Sequence, residues 1–87
     1  MTFKELNDAL IPRAEQLCAN LLPGGRREGR EWVAGSTHGE KGRSLKVVLE
    51  GTKAGRWKDF ASDEGGDLLK LIELARGTDA KGAADFA

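Results

Sequence analysis

Apolar residues recur every three or four positions in the first part of the chain, a spacing typical of one face of an α-helix. The stripe comprises Phe3, Leu6, Leu10, Ala14, Leu17 and Leu21. Thr2 and Glu5 have the spacing of a capping box, which predicts a helix starting at Thr2. Pro12 interrupts the stripe, and because proline removes a backbone donor, we expect a kink or two short helices. The Pro-Gly-Gly sequence at residues 23–25 ends helical structure.

Three short segments in the middle of the chain have the character of β-strands. They span residues 30–34, 44–50 and 56–60. Within the second segment Leu45, Val47 and Leu49 fall on one face, which is typical of a strand with one buried side. Glycine-containing connections are predicted at residues 35–42, 51–55 and 62–66. Since these connections are short, we expect an antiparallel meander of three to four strands.

A further amphipathic helix is predicted towards the C-terminus. Asp67 is a good N-cap for it. Its apolar face consists of Leu68, Leu71, Ile72 and Ala75. Arg76 in the last turn and Gly77 at the C′ position end this helix. Thr78 or Asp79 then caps a further helix.

These elements predict an α+β fold, in which N- and C-terminal helices flank a small antiparallel sheet. The core is expected to form where one apolar set faces another, namely Leu45, Val47 and Leu49 against Leu68, Leu71 and Ile72. Residues 1–77 are predicted to form one domain. Residues 78–87 begin another helix, which we expect to continue in a longer chain.

Charge is distributed unevenly along the 87 residues, although 14 Lys and Arg balance 14 Asp and Glu. Residues 1–25 sum to −1 and residues 59–87 sum to −4. Residues 26–58 carry nine basic and four acidic groups and sum to +5. This basic centre can form a local face for an anionic partner, so the neutral total does not exclude nucleic acid. The alternative is a mixed, solvated surface.

The composition excludes several classes of protein. No run of about 18 apolar residues is present, so we expect no contact with a membrane, and the polar N-terminus is not a signal peptide. Cys18 is the single cysteine, which excludes an internal disulfide and a cysteine-rich zinc site. It falls on the helical stripe, where we expect a small packing residue. A reducing cytoplasm is the expected compartment.

The residues with catalytic potential do not form a convincing arrangement. The glycine-rich segment 35–44 lacks the glycine spacing and the Lys-Ser/Thr order of a phosphate loop, although Lys41 and Arg43 could still face a phosphate. His38 is the single histidine, and no spacing pairs it with a serine and Asp59 as a nucleophilic triad. We therefore expect no enzymatic activity, no catalytic residue and no cofactor.

Trp32 and Trp57 each lie in a predicted strand beside basic residues. Arg30 comes before the first, whereas Arg56 and Lys58 flank the second. Aromatic rings among cations bind single-stranded nucleic acid by base stacking and phosphate neutralisation. Alternatively, both indoles fill the core, because two Trp and three Phe must supply much of its volume. The sequence leaves these two interpretations open.

Four motifs follow one another along the chain. They are Leu-Leu-Pro-Gly-Gly-Arg-Arg-Glu-Gly-Arg-Glu-Trp (21–32), Gly-Ser-Thr-His-Gly-Glu-Lys-Gly-Arg-Ser (35–44), Trp-Lys-Asp-Phe (57–60) and Gly-Gly-Asp-Leu-Leu-Lys-Leu-Ile (65–72). Their order resembles the N-terminal zinc-ribbon-like domain of DNA primases, particularly the primase-helicase and Toprim-containing proteins of phages and plasmids. Those domains carry Cys-Pro-x-His-Gly-Glu-Lys…Ser, a strand pair, and Cys-Phe-x-Cys followed by Gly-Gly-Asp and an apolar helix. The resemblance covers residues 17–77.

Most zinc ligands of that family are replaced in this chain. His38 matches the histidine of the family motif, but Gly35 stands at the first cysteine position. Asp59 and Ser62 stand at the positions of the Cys-x-x-Cys pair. Structural zinc needs four donors, usually thiolate or imidazole. The resemblance therefore implies a degenerate, metal-free zinc ribbon in which packing replaces the metal.

The resemblance also implies a function. It indicates a non-catalytic module that contacts single-stranded template DNA, while polymerisation belongs to a following domain of the same chain. The candidate DNA-binding residues are Arg26, Arg27, Arg30, Trp32, Lys41, Arg43, Lys46, Arg56, Trp57 and Lys58. The alternative hypothesis is an interaction domain that docks on the rest of its own chain or on a replication partner. For that role the candidate residues are Asp59, Asp63, Glu64 and Asp67.

Overall fold

Two short helices joined at Pro12 begin the computed structural model, which describes residues 2–79 and 81–83. Helix α1 (Phe3–Leu10) starts with a capping box. Thr2 Oγ1 accepts a hydrogen bond from Glu5 N at 3.1 Å, and Glu5 Oε1 accepts one from Thr2 N at 3.2 Å. A 3₁₀ turn (Ile11–Arg13) leads into α2 (Ala14–Leu21). The predicted capping box and the two-helix arrangement are therefore confirmed.

Five antiparallel strands follow and pair in chain order. They are β1 (Arg26–Glu28), β2 (Glu31–Ala34), β3 (Leu45–Val48), β4 (Trp57–Asp59) and β5 (Glu64–Gly66). The antiparallel meander is confirmed, but the count of three to four strands was too low, and the loop predicted over residues 62–66 contains β5. β1 and β5 show no alternation of apolar positions. They form because the neighbouring strand offers partners to their backbone groups.

The core lies between the helices and one face of the sheet, called here the inner face. Trp32, Val47 and Trp57 occupy opposed positions in β2, β3 and β4, so their side chains share this face. Helix α3 (Leu68–Arg76) packs against it. The predicted contact between the two apolar sets is confirmed, since one buried cluster contains Leu45, Val47, Leu49, Leu68, Leu71 and Ile72. The α+β fold is thus the predicted one.

Local signals fix both ends of helix α3. Asp67 caps its N-terminus by accepting a hydrogen bond from Lys70 N at 2.8 Å. Asn7 Oδ1 in α1 accepts a hydrogen bond from Leu68 N at 2.8 Å, which ties the first helix to the last. Gly77 ends the helix in the left-handed region, with φ of 66°, where glycine has no steric penalty. The predicted N-cap and C-terminal glycine are both confirmed.

Part of the last predicted helix lies within the described residues. Residues 81–83 are helical, and Asp79 Oδ1 accepts a hydrogen bond from Gly82 N at 2.8 Å. Of the two predicted caps, Asp79 therefore fills that role. Ala80 and residues 84–87 of the predicted helix lie outside the described residues.

Cys18 lies in the core with none of its surface exposed, as predicted for a packing residue. Burial is the main cause that raises the pKa of its thiol from 9.0 to about 12, and the nearby Glu15 carboxylate contributes. The folded state therefore stabilises the neutral thiol over the thiolate.

We expect the Cys18 thiol of the native protein to resist alkylation, because the reactive thiolate is suppressed. At about pH 8, iodoacetamide should modify the native chain on the order of 100-fold more slowly than the urea-unfolded chain. The free energy of unfolding should also fall as the pH rises from 9.0 towards about 12, since only the unfolded thiol ionises there. Comparison with Cys18→Ala isolates this contribution, and equal alkylation rates in both states would contradict the burial.

Candidate nucleic-acid interface

The face of the sheet opposite the helices, called here the open face, carries most of the charged strand residues. On β4 the two faces are clearly distinct, because Trp57 and Asp59 are buried whereas Lys58 between them is exposed. The strand register places on the open face Arg26, Glu28, Glu31, Val33, Lys46, Val48, Lys58 and Gly65, with Arg56 and Phe60 at the two ends of β4. Basic residues therefore outnumber acidic ones on this face.

Three cations of the open face lie in one row across the strands. Arg26 on β1, Lys46 on β3 and Lys58 on β4 occupy matching register positions, with Val33 of β2 between the first two. Opposed residues in adjacent antiparallel strands lie about 4.5–5.5 Å apart, and like charges there destabilise a sheet. Asp63 offsets part of this repulsion, because its carboxylate lies 3.0 Å from Lys58 Nζ in an exposed ion pair. A bound anion would offset the remaining repulsion among these cations.

Phe60 is the aromatic side chain beside these cations, and its side chain is largely in solvent, with 65% exposure. Lys58 Nζ lies 5.6 Å from the centre of its ring, which is within cation–π distance. The ring borders a shallow depression of about 180 Å³, whose lining includes Glu31, Lys46, Val48, Arg56 and Lys58. Phe60 is not among the site residues predicted from the sequence. Strand alternation could have found it, because an odd separation from a buried Trp57 puts the two rings on opposite faces.

The two indoles belong to the core rather than to the open face. Trp57 is 4% exposed, and its Nε1 donates a hydrogen bond to the Asp67 carbonyl oxygen at 2.7 Å. Trp32 is half-buried against the core, and its Nε1 donates to the Leu22 carbonyl oxygen at 3.2 Å. The core interpretation therefore applies to both, since the strand register puts both side chains on the inner face of the sheet.

Arg27 and Arg30 also lie away from the cationic row. Arg27 shares a register row with Trp32, and its guanidinium binds Glu50 at 2.8 Å and Glu15 at 3.2 Å. These hydrogen bonds raise the pKa of Arg27 further above its usual value. Arg30 lies in the β1–β2 turn, at the opposite end of β1 from Arg26. Sequence reasoning could not separate these arginines from Arg26, because the partners of Arg27 come from distant elements.

Lys41 and Arg43 reach the open face from the loop of residues 35–44. They lie beside Arg26, around the buried side chain of Val33. Arg43 and, to a smaller extent, Arg26 lower the pKa of Glu28 through hydrogen bonds to its carboxylate. The predicted residues that the structure brings together on or beside the open face are Arg26, Lys41, Arg43, Lys46, Arg56 and Lys58.

The four positions that correspond to zinc ligands in the primase domains do not form a ligand set. The carboxylate of Asp59 is buried and accepts hydrogen bonds from Ala61 N at 2.9 Å and Ser62 N at 3.4 Å. It therefore holds its own turn together. His38 is exposed. Within residues 2–79 and 81–83, no group of three or more His, Cys, Asp or Glu could hold a metal ion.

Two of the side chains considered for a nucleophilic triad, Ser36 and Asp59, have other hydrogen-bond partners in the described part of the chain. Ser36 Oγ hydrogen-bonds to Glu40 Oε1 at 2.7 Å, and this contact is the main cause that lowers the pKa of Glu40. Ser36 Oγ also accepts a hydrogen bond from the backbone N–H of His38 at 3.1 Å, which shapes the loop. The Asp59 carboxylate accepts hydrogen bonds within its own turn, so Ser36 and Asp59 both have structural partners.

No protein-family model matches this chain, and no curated protein or solved structure matches it. The resemblance to primase domains therefore depends on the sequence motifs alone. Among the residues that the structure describes, no helix is both long enough and apolar enough to cross a membrane.

We expect the fold to be independent of zinc, because Asp59 is already hydrogen-bonded within its turn and Gly35 has no side-chain donor. Circular dichroism spectra and thermal unfolding should be the same with and without EDTA. Added zinc should show no stoichiometric binding by calorimetry. Tight binding of one zinc ion per chain, or unfolding by the chelator, would contradict this expectation.

Proposed function

We propose that this chain is a non-catalytic module that binds single-stranded DNA across the open face of its sheet. The observation that carries the proposal is the like-charge pair of Lys46 and Lys58, which lie directly opposite each other beside the exposed ring of Phe60. Evolution of a sheet for stability alone would place opposite charges at such a pair. The phosphates of a bound polyanion offset the repulsion between the two lysines, so the same arrangement then favours binding.

The chemistry of the open face fits a single strand. Proteins bind single strands by combining a positively charged surface along the backbone with aromatic side chains on which bases stack. Lys46, Lys58 and Arg56 supply the charge, and Phe60 supplies the ring. The depression beside Phe60 is shallow and Val48 is among its lining residues, so a flat base can lie against the ring and this apolar side chain.

The sequence motifs supply the biological context of the proposal. They favour the N-terminal domain of a phage- or plasmid-type DNA primase or primase-helicase, in which catalysis belongs to another domain. The partners would then be single-stranded template DNA and the catalytic domains of the same chain, in the cytoplasm. The absence of a convincing catalytic arrangement in the sequence fits the same assignment.

The alternative, an interaction domain that docks through acidic residues, has less support. Of its candidate residues, Asp59 is buried and Asp67 caps helix α3. Asp63 pairs with Lys58, and Glu64 accepts a hydrogen bond from Ser62 Oγ at 3.2 Å. Each of these acidic groups therefore has a partner within the segment from β4 to the start of α3, and the four do not form a free acidic patch.

Replacement of the exposed ring tests the proposal. Phe60→Ala should weaken binding of a short oligothymidine by about 1–3 kcal/mol, or about 5- to 150-fold, because base–aromatic stacking is lost. Fluorescence anisotropy at low salt measures this affinity. Phe3→Ala is the matched control, since Phe3 is also exposed, at 55%, but lies on α1.

Unfolding by urea should be nearly unchanged in both variants, because each ring lies mostly in solvent. Equal affinities of Phe60→Ala and Phe3→Ala for the oligonucleotide would contradict the proposed interface. The absence of any salt-sensitive binding by the unmodified chain would contradict the proposed function itself.

A further inference from the structure

A crevice of about 250 Å³ lies at the β1 edge of the open face, between the loops of residues 22–25 and 35–44. Glycines form its walls because two backbones approach closely there. A Cβ atom at Gly24 would lie 2.5 Å from the Gly39 carbonyl oxygen, and one at Gly42 would lie 2.6 Å from Gly35 Cα. Gly24 N also donates a hydrogen bond to Gly39 O at 2.7 Å. The two loops are therefore held together, and the crevice is formed without a ligand.

One carboxylate positions two arginines that line this crevice. Arg43 donates two hydrogen bonds to Glu28, at 2.8 and 2.9 Å, and Arg26 Nε donates one at 2.9 Å. Both terminal nitrogens of Arg26 and the Nε of Arg43 have no protein partner among the described residues. Lys41 lines the same crevice, and its ammonium forms no ion pair in the described part of the chain. Donors held in place in this way suit a phosphate, since less side-chain freedom is lost on binding.

We propose that this crevice binds a terminal phosphate of the single strand, an inference that rests on the proposed function. The charges match, because Arg26, Lys41 and Arg43 exceed Glu28 by two positive charges. A terminal phosphate monoester carries about −1.5 to −2 at neutral pH, whereas each internal phosphate carries about −1.

The position of the crevice leads to the same conclusion. β1 is an edge strand of the sheet, and Arg26 is the first cation of the row that continues to Lys46 and Lys58. A strand that follows this row towards Phe60 therefore starts at the crevice. Its end is the part that the crevice receives.

The experiment uses the whole chain and three tetrathymidylates, carrying a 5′-phosphate, a 3′-phosphate or neither. Each competes with a labelled longer oligothymidine in anisotropy measurements at low salt. We expect one phosphorylated tetramer to bind about tenfold more tightly than the unphosphorylated one. The tetramer that binds more tightly, with its phosphate at the 5′ or the 3′ end, identifies the end of the strand that the crevice holds.

Single substitutions test whether the crevice causes the tighter binding of the phosphorylated tetramer, called here the phosphate gain. Lys41→Gln and Arg26→Gln should each remove most of it, whereas Lys53→Gln, in the β3–β4 turn, should retain it. Arg43 is left unchanged because its loss would free the Glu28 carboxylate. The inference is overturned if all three tetramers bind equally while Phe60→Ala still weakens them, or if the gain survives both crevice variants. Absence of binding by any single strand would overturn the proposed function and this inference together.

Discussion

The burial of the Trp57 side chain determines which face of the sheet is open. Its ring is almost fully enclosed, and its Nε1 donates a hydrogen bond to the carbonyl oxygen of Asp67, the residue that caps α3. This contact ties β4 to the start of the last helix. Because side chains alternate along a strand, it also turns Lys58 and Phe60 outward, and a slip of one residue would reverse both. The proposed interface therefore depends on a contact made on the other side of the sheet.

Local patterns in the sequence were sufficient to predict the elements that build the core. The capping box at Thr2, the N-cap at Asp67 and the glycine at residue 77 act within one turn of helix, so the sequence alone reveals them. Strand β3 was predictable because buried apolar residues alternate along it with more exposed ones. β1 and β5 were missed because Arg-Arg-Glu and Glu-Gly-Gly form strands only when a neighbour supplies backbone partners.

The candidate site was predicted less completely, since it depends on tertiary contacts. A run of basic residues does not show which cations find acidic partners. Arg27 meets Glu15 and Glu50, which lie 12 and 23 residues away along the chain. Lys46 and Arg56 form no ion pair within the described residues. Trp57 and Phe60 illustrate the same limit, because composition alone could not decide which aromatic residues fill so small a core.

The salt dependence of binding shows whether Lys46 and Lys58 contact phosphates on the open face. The logarithm of the affinity for oligothymidine is measured against the logarithm of salt concentration for the unmodified chain and for the double variant Lys46→Gln/Lys58→Gln. In the double variant we expect the slope to become shallower by about 1.4, because each phosphate contact in a single strand contributes about 0.7. The control Lys4→Gln/Lys53→Gln removes two exposed lysines elsewhere and should keep the original slope. Identical slopes for the two double variants would contradict phosphate contacts by Lys46 and Lys58.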